Sequence, residues 1–157
     1  MADFKFNFIN NRGKIESDLE SAIHDALDLL GYTMEADVVN EMVNWKPNDI
    51  IDTGTLMNSI THQVPDNYTV VVGTNVPYAV YVHYGTGLYA ENGQGRKTPW
   101  VYTDRHGVKH WTRGVHPRPF LRQGIQKNIK AYQTAMANYL KKAMGDGHEP
   151  TFEDLLL

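Results

Sequence analysis

The chain contains no cysteine. That excludes disulfides, thiolate metal sites and cysteine nucleophiles, and with them several enzyme classes. No apolar run approaches the roughly eighteen residues that a membrane-spanning helix needs. The opening residues, Met1-Ala2-Asp3-Phe4-Lys5-Phe6, lack the basic and then apolar regions of a signal peptide, which predicts a cytoplasm-like compartment. There is no internal repeat and no low-complexity tract. One long stretch also lacks acid. From Arg96 to Lys142 there are eleven Lys or Arg and a single acid, Asp104, for a local net of +10. From Met1 to Asp66 four basic residues face twelve acids, for a net of −8. The whole chain carries only −3. A chain split this way is expected to bind something with each end, either other copies of itself head to tail or a polyanion on the basic side.

What is present fits one α+β domain over residues 1–147, followed by an acidic tail, 148–157, with an apolar end. Asp3 to Ile9 alternates, with Phe4, Phe6 and Phe8 on one side, and predicts a strand. Ile15, Leu19, Ile23, Leu27, Leu30, Met34, Val38 and Met42 recur at helical spacing, with acids opposite them. Gly31 inside that pattern predicts a kink or break. Pro47 ends the helix. Asp52 to Ile60 reads as a short helix with Asp52 as its N-cap. Thr61–Val64 and Tyr68–Thr74 around Pro65-Asp66-Asn67 predict a hairpin. Pro77 opens another short helix, Tyr78–Tyr84, which Gly85 stops. Trp100–Thr103 and Val108–Trp111 flank Asp104-Arg105-His106-Gly107 and predict a second, basic hairpin that protrudes. Phe120 to Met144 is a second long helix with a basic outer face. The expected architecture is a small, mostly antiparallel sheet covered by two long helices.

The chemical motifs are weak. Ile50-Ile51-Asp52-Thr53-Gly54 resembles the Asp-Thr-Gly signature of aspartic proteases. The residues before it, Trp45-Lys46-Pro47-Asn48-Asp49, replace the apolar strand that such a site needs. His106 and His110 are four apart, but they are expected to flank a hairpin turn, with no nearby carboxylate or third ligand to complete a metal site. His83 sits in a Tyr-rich helix and reads as a packing or interface histidine. Gly93-Gln94-Gly95-Arg96-Lys97-Thr98 lacks the full spacing of a phosphate-binding loop. No catalytic, cofactor or metal site is assigned. The basic hairpin over 96–118, interleaved with Trp100, Tyr102 and Trp111, has the composition of a nucleic-acid contact. Its candidate contact residues are Arg96, Lys97, Arg105, Lys109, Arg113 and Arg118, toward DNA or toward a neighbouring subunit.

Four segments occur in a telling order. They are Asp52-Thr53-Gly54-Thr55-Leu56 with Ser59-Ile60, Val72-Gly73-Thr74, Tyr78-Ala79 with Tyr81-Val82-His83-Tyr84-Gly85-Thr86-Gly87, and His116-Pro117-Arg118-Pro119-Phe120-Leu121 ahead of a long helix. Together, over about residues 52–142, they resemble the gene-product-ten-like head–tail joining family of tailed bacteriophages. These are also called neck, minor capsid or tail-completion proteins. The resemblance implies a non-enzymatic virion protein with no cofactor, made in the host cytoplasm and present as a ring-like homo-oligomer. Its implied partners are the connector or head-closure protein on one side and a tail-completion or tail-tube protein on the other. Weak, non-specific contact with packaged DNA fits a basic conduit. No membrane is implied.

Overall fold

The computed structural model describes residues 12–46 and 54–145. The strand expected over Asp3–Ile9, the N-cap expected of Asp52 and the tail 148–157 lie outside those residues. Within them the chain is α+β. Helix α1 runs Arg12–Asn44, strands β1 and β2 run Ile60–Asp66 and Thr69–Thr74, and a short α2 spans Ala79–Tyr84. Strands β3 and β4 follow at Trp100–Thr103 and Lys109–Thr112, and α3 runs Phe120–Gly145. The strands form two separate two-stranded antiparallel sheets, β1–β2 and β3–β4. In place of the short helix expected over 52–60, the described part holds only a 3-10 turn, Met57–Ser59, before Ile60 opens β1. Ile60 and Val72 of the hairpin pack into the core, which draws the chain into a strand sooner than local propensity suggests.

The apolar stripe of α1 meets α3 antiparallel. Val38 and Met42 join Leu56, Ile60, Ala79 and Phe120 in one core cluster, and Ala26 joins Ala135 and Tyr139 in a second. Phe120 and Val38 are fully buried, so they are the anchors of the larger cluster. The stripe is narrower than its periodicity predicts. Ile15 is exposed, and burial along α1 begins at Ala26. The opposed charges of the two helices meet partly within one chain. Lys127 Nζ lies 2.5 Å from Glu41 Oε2, and the Tyr132 hydroxyl donates to Asp37 at 2.5 Å. Burial, and then the Asp37 carboxylate, push the Tyr132 pKa far above its ordinary value, so it remains a donor.

In the β1–β2 hairpin the register runs from Ile60 opposite Thr74 to Gln63 opposite Val71, then slips before Asp66 pairs with Thr69. Pro65 lies at the slip, where a residue without an N–H cannot serve a regular ladder. Asp66 Oδ1 accepts the Tyr68 N–H at 2.7 Å and closes the turn.

Helix α1 continues through Gly31 without the expected break. The glycine provides room. A Cβ there would overlap the ring of His62, which reaches across from β1. The ring sits between two carboxylates seven residues apart, on either side of Gly31. Its Nδ1 is 2.7 Å from Glu35 Oε1 and its Nε2 is 3.1 Å from Asp28 Oδ1. Tyr32 meets it edge-on at 4.5 Å, and the side chain is 7% exposed. Burial alone pushes the His62 pKa down. The hydrogen bonds and charges of Glu35 and Asp28 together outweigh it, so the net shift is upward. This three-residue clasp fastens the hairpin to α1.

Two outcomes follow from the clasp. Alanine at position 31 gains about 1 kcal/mol of helix propensity, but overpacking costs about 1–3 kcal/mol. Gly31→Ala is expected to destabilise the protein in urea unfolding, and to become stabilising once His62→Ala removes the ring. A stabilising Gly31→Ala in the otherwise native chain would show that the ring yields freely. The second outcome concerns pH. A raised folded pKa contributes stability that is fully present below the unfolded value, about 6.5, and is lost as pH rises through the folded value. The thermal midpoint should therefore fall across that window, and His62→Gln should flatten the fall.

Candidate functional site

The segments that frame the basic stretch are brought together by backbone. Gly85 ends α2 with φ 73°. The chain then runs beside the irregular segment 113–118 that leads into α3. Thr86 N donates to Val115 O at 2.9 Å, Leu88 N to Arg113 O at 2.9 Å, and Arg118 N to Val82 O at 3.0 Å. The Thr86 hydroxyl accepts the Val115 N–H at 3.0 Å. Gly87, at φ 62°, lies so close to the Arg113 carbonyl that a side chain would collide with it. Tyr89 stacks on His116 with ring centroids 3.8 Å apart. The other two motif segments attach to the same unit. The Ser59 and Thr74 hydroxyls are 2.6 Å apart, and Leu56, Ile60, Ala79 and Phe120 share the core cluster. Four segments scattered from Gly54 to Leu121 thus form one contiguous seam.

The β3–β4 hairpin projects from this seam. Trp100 pairs with Thr112, Val101 with Trp111, Tyr102 with His110 and Thr103 with Lys109. Both faces are open over most of its length. Trp111 is 62% exposed and Tyr102 48%. Asp104, the one acid of the basic stretch, builds the tip. Its Oδ1 accepts the amides of His106 at 2.8 Å and Val108 at 2.9 Å, and its Oδ2 lies 2.8 Å from His110 Nε2. The His110 contact first, and the Val108 amide next, hold its carboxyl below the usual range. His110 is thereby turned to Asp104, while His106 accepts from Arg105 Nε at 3.2 Å. The two histidines do not converge on a metal, and among the described residues no group of three ligands does.

The structure sorts the six candidate contact residues. Arg96, Lys97, Arg105, Lys109 and Arg113 are exposed. They run from the base of the hairpin to its tip. Arg96 lies over Trp100 at 5.6 Å, and Arg113 over Trp111 at 5.3 Å. Lys97 Nζ donates to Gly93 O at 2.6 Å. Arg118 is different. It is half-buried, and its backbone belongs to the seam.

No family model, curated protein or solved structure matches the chain. Its function is therefore read from the motifs and their geometry.

Between the end of β2, helix α2 and the first turns of α3 lies an apolar groove of about 530 Å³. Val76, Ala79, Val80, Leu121 and Ile125 line it, with Arg122 at one side. Arg122 pairs with Glu91 at 2.9 Å. His83 is also in the lining and is 7% exposed. Its ring meets Tyr84 and Phe120 edge-on, and its Nδ1 is buried with no hydrogen-bond partner. Burial first, and then the Arg122 charge, push its pKa down, so it is neutral. Sequence reasoning placed His83 in a packing role but had no means to find the groove, which joins residues some forty positions apart. The His62 clasp was also missed. Its signal was there: His62 is in phase with buried Ile60, and Asp28 and Glu35 straddle a helical glycine.

Because Asp104 carries the tip, Asp104→Ala should speed hydrogen exchange at the His106 and Val108 amides. The global unfolding midpoint should stay in place, since the hairpin buries little. Unchanged exchange at both amides would mean that Gly107 and the β3–β4 ladder hold the turn without the carboxylate.

Proposed function

We propose that this chain is a structural virion protein at the head–tail interface of a tailed bacteriophage. In this reading it docks between the connector or head-closure ring and the tail. The observation that carries the reading is the seam. The motif segments that resemble the neck family occur in order along the chain, and each packs against another. Motif segments that pack on one another in this way shape one docking body. The seam also supports a short arm with five exposed cations. An arm with its charge displayed on a rigid base suits recognition of a partner surface, since charge complementarity sets register and speeds encounter. The split of charge along the chain suits a repeated head-to-tail contact, which closes into a ring when the rotation closes.

A second reading, nucleic-acid binding through 96–118, is favoured by the exposed Trp111 and Tyr102 among cations. Against it, those rings already have companions. Arg113 covers one face of Trp111, and His110 stacks on Tyr102 at 5.3 Å.

One experiment separates them. Replace Arg96, Lys97, Arg105, Lys109 and Arg113 with Glu in the virus that encodes the chain. Docking by the arm predicts filled heads and finished tails that fail to join, with the purified native chain leaving duplex DNA unretarded. Nucleic-acid binding predicts retardation by the native chain that falls steeply with salt and is lost in the variant. Normally tailed particles from the variant would overturn the role given to the arm.

A further inference from the structure

The geometry of the His62 clasp demands a charged ring. Both ring nitrogens face a carboxylate oxygen, Nδ1 that of Glu35 at 2.7 Å and Nε2 that of Asp28 at 3.1 Å. A carboxylate only accepts, so both nitrogens must donate, and an imidazole does so only as the cation. A neutral ring keeps one N–H. The nitrogen that loses its proton then turns a lone pair on a carboxylate. If that carboxylate swings out to water, the nitrogen is left enclosed without a partner, which is costly. The side chain is 7% exposed, so little room remains for water to take over. The titratable groups that face the ring, Asp28, Tyr32 and Glu35, all belong to α1. Strand β2, beside it in the sheet, carries no charged residue, and among the described residues no further charge acts on the ring.

The hairpin is built to part from the helix at this point. Of its two strands only Ile60 is buried, and Ile60 and Val72 seat its base in the core. Beyond His62 the ladder slips, Tyr68 is 84% exposed and Val71 is 52%. The ring therefore holds a lightly buried outer hairpin against α1. On the helix side, Gly31 leaves the notch that the ring fills, at a position where glycine weakens a helix.

We infer that Asp28, Glu35 and His62 are a proton-gated latch. With the ring charged, residues 62–71 lie closed on α1. On loss of one proton they lift from the notch at Gly31, hinged at the base formed by Ile60 and Val72, while α1 and α3 stay packed. Burial opposes the charge and the two carboxylates outweigh it, so the gate stands on the alkaline side of the ordinary imidazole value, 6.5. The latch is closed at and below that value and opens as pH rises past the raised one. The change is local, and it draws nothing from the neck reading, so either can fail without the other.

Two variants isolate the cause. In Asp28→Asn the carboxamide can donate to a neutral Nε2 while Nδ1–H serves Glu35. In Glu35→Gln the same exchange takes place with the other tautomer. Each variant can satisfy the ring in both charge states and should keep the latch closed. The full chain is followed by NMR from about pH 6 to about pH 9, which brackets the ordinary imidazole range and its alkaline side. In the native chain the nuclear Overhauser contact between the His62 ring and the Gly31 α-protons is expected at the acid end. It should be lost at the alkaline end, in step with titration of the ring nitrogens. The contact between Gly124 and Val38, where α3 crosses α1, should persist throughout. In both variants the His62–Gly31 contact should survive with the ring neutral. Four results would each overturn the inference: a native contact that persists on a neutral ring, a native ring still charged at the alkaline end, loss of the contact in either variant while Gly124 stays on Val38, or loss of the native Gly124–Val38 contact along with it.

Discussion

The backbone seam between the end of α2 and the approach to α3 is the constraint from which the rest of the molecule takes its shape. At Gly87 two stretches of main chain pass too close for a side chain, and amides on either side bond across the gap. This contact determines where Phe120 enters the core, because Arg118 is tied to Val82 only two residues earlier. It thereby sets the angle of α3 on α1. It also fixes the two ends of the β3–β4 excursion, so the arm starts and finishes at one rigid point. Closing the roughly twenty-five-residue excursion costs entropy only slowly with length, which is why an arm can be inserted there without loosening the core.

The uneven charge of the chain serves two ends. Part of it is neutralised inside the domain. Glu41 pairs with Lys127, Asp37 takes the Tyr132 hydroxyl, Glu91 holds Arg122, and Asp28 with Glu35 grips His62. The exposed pairs among these contribute little each, since water and salt screen them. The His62 clasp differs, because its ring is nearly enclosed. Five of the remaining cations, Arg96, Lys97, Arg105, Lys109 and Arg113, are displayed on and beside the hairpin. Only one acid accompanies them, and it is engaged by the tip. The surface that results is positive by construction, not by a lack of acids in the protein.

The helices, both hairpins and the stop at Gly85 were legible in the sequence because each depends on local chemistry: a period of three to four, a period of two, or a residue that reverses the chain. What depended on distant partners was harder to read. Gly31 looked like a break because its partner, His62, lies thirty-one residues away. Ile15 looked like core because periodicity marks a face without saying how far along it a neighbour extends. The stretch before Ile60 looked helical because Asp52 reads as an N-cap, yet Leu56 and Ile60 are buried from a turn and a strand. Of the candidate contact residues, five were placed on one exposed segment as their spacing suggested. Arg118 was not, because its proximity to Val82 is a product of the seam.

The hairpin has a further property. Two strands make no interior strand, so each leaves a row of amides and carbonyls without a neighbour in the ladder. Such a margin accepts a third strand from any chain that arrives, another copy included. Here Arg105, Lys109 and Arg113 line the approach, and two like hairpins repel before their backbones meet. That repulsion weakens when an acidic surface neutralises the cations. In the docking proposed for the arm, an acidic partner surface would therefore also unmask these margins, and backbone pairing would follow recognition.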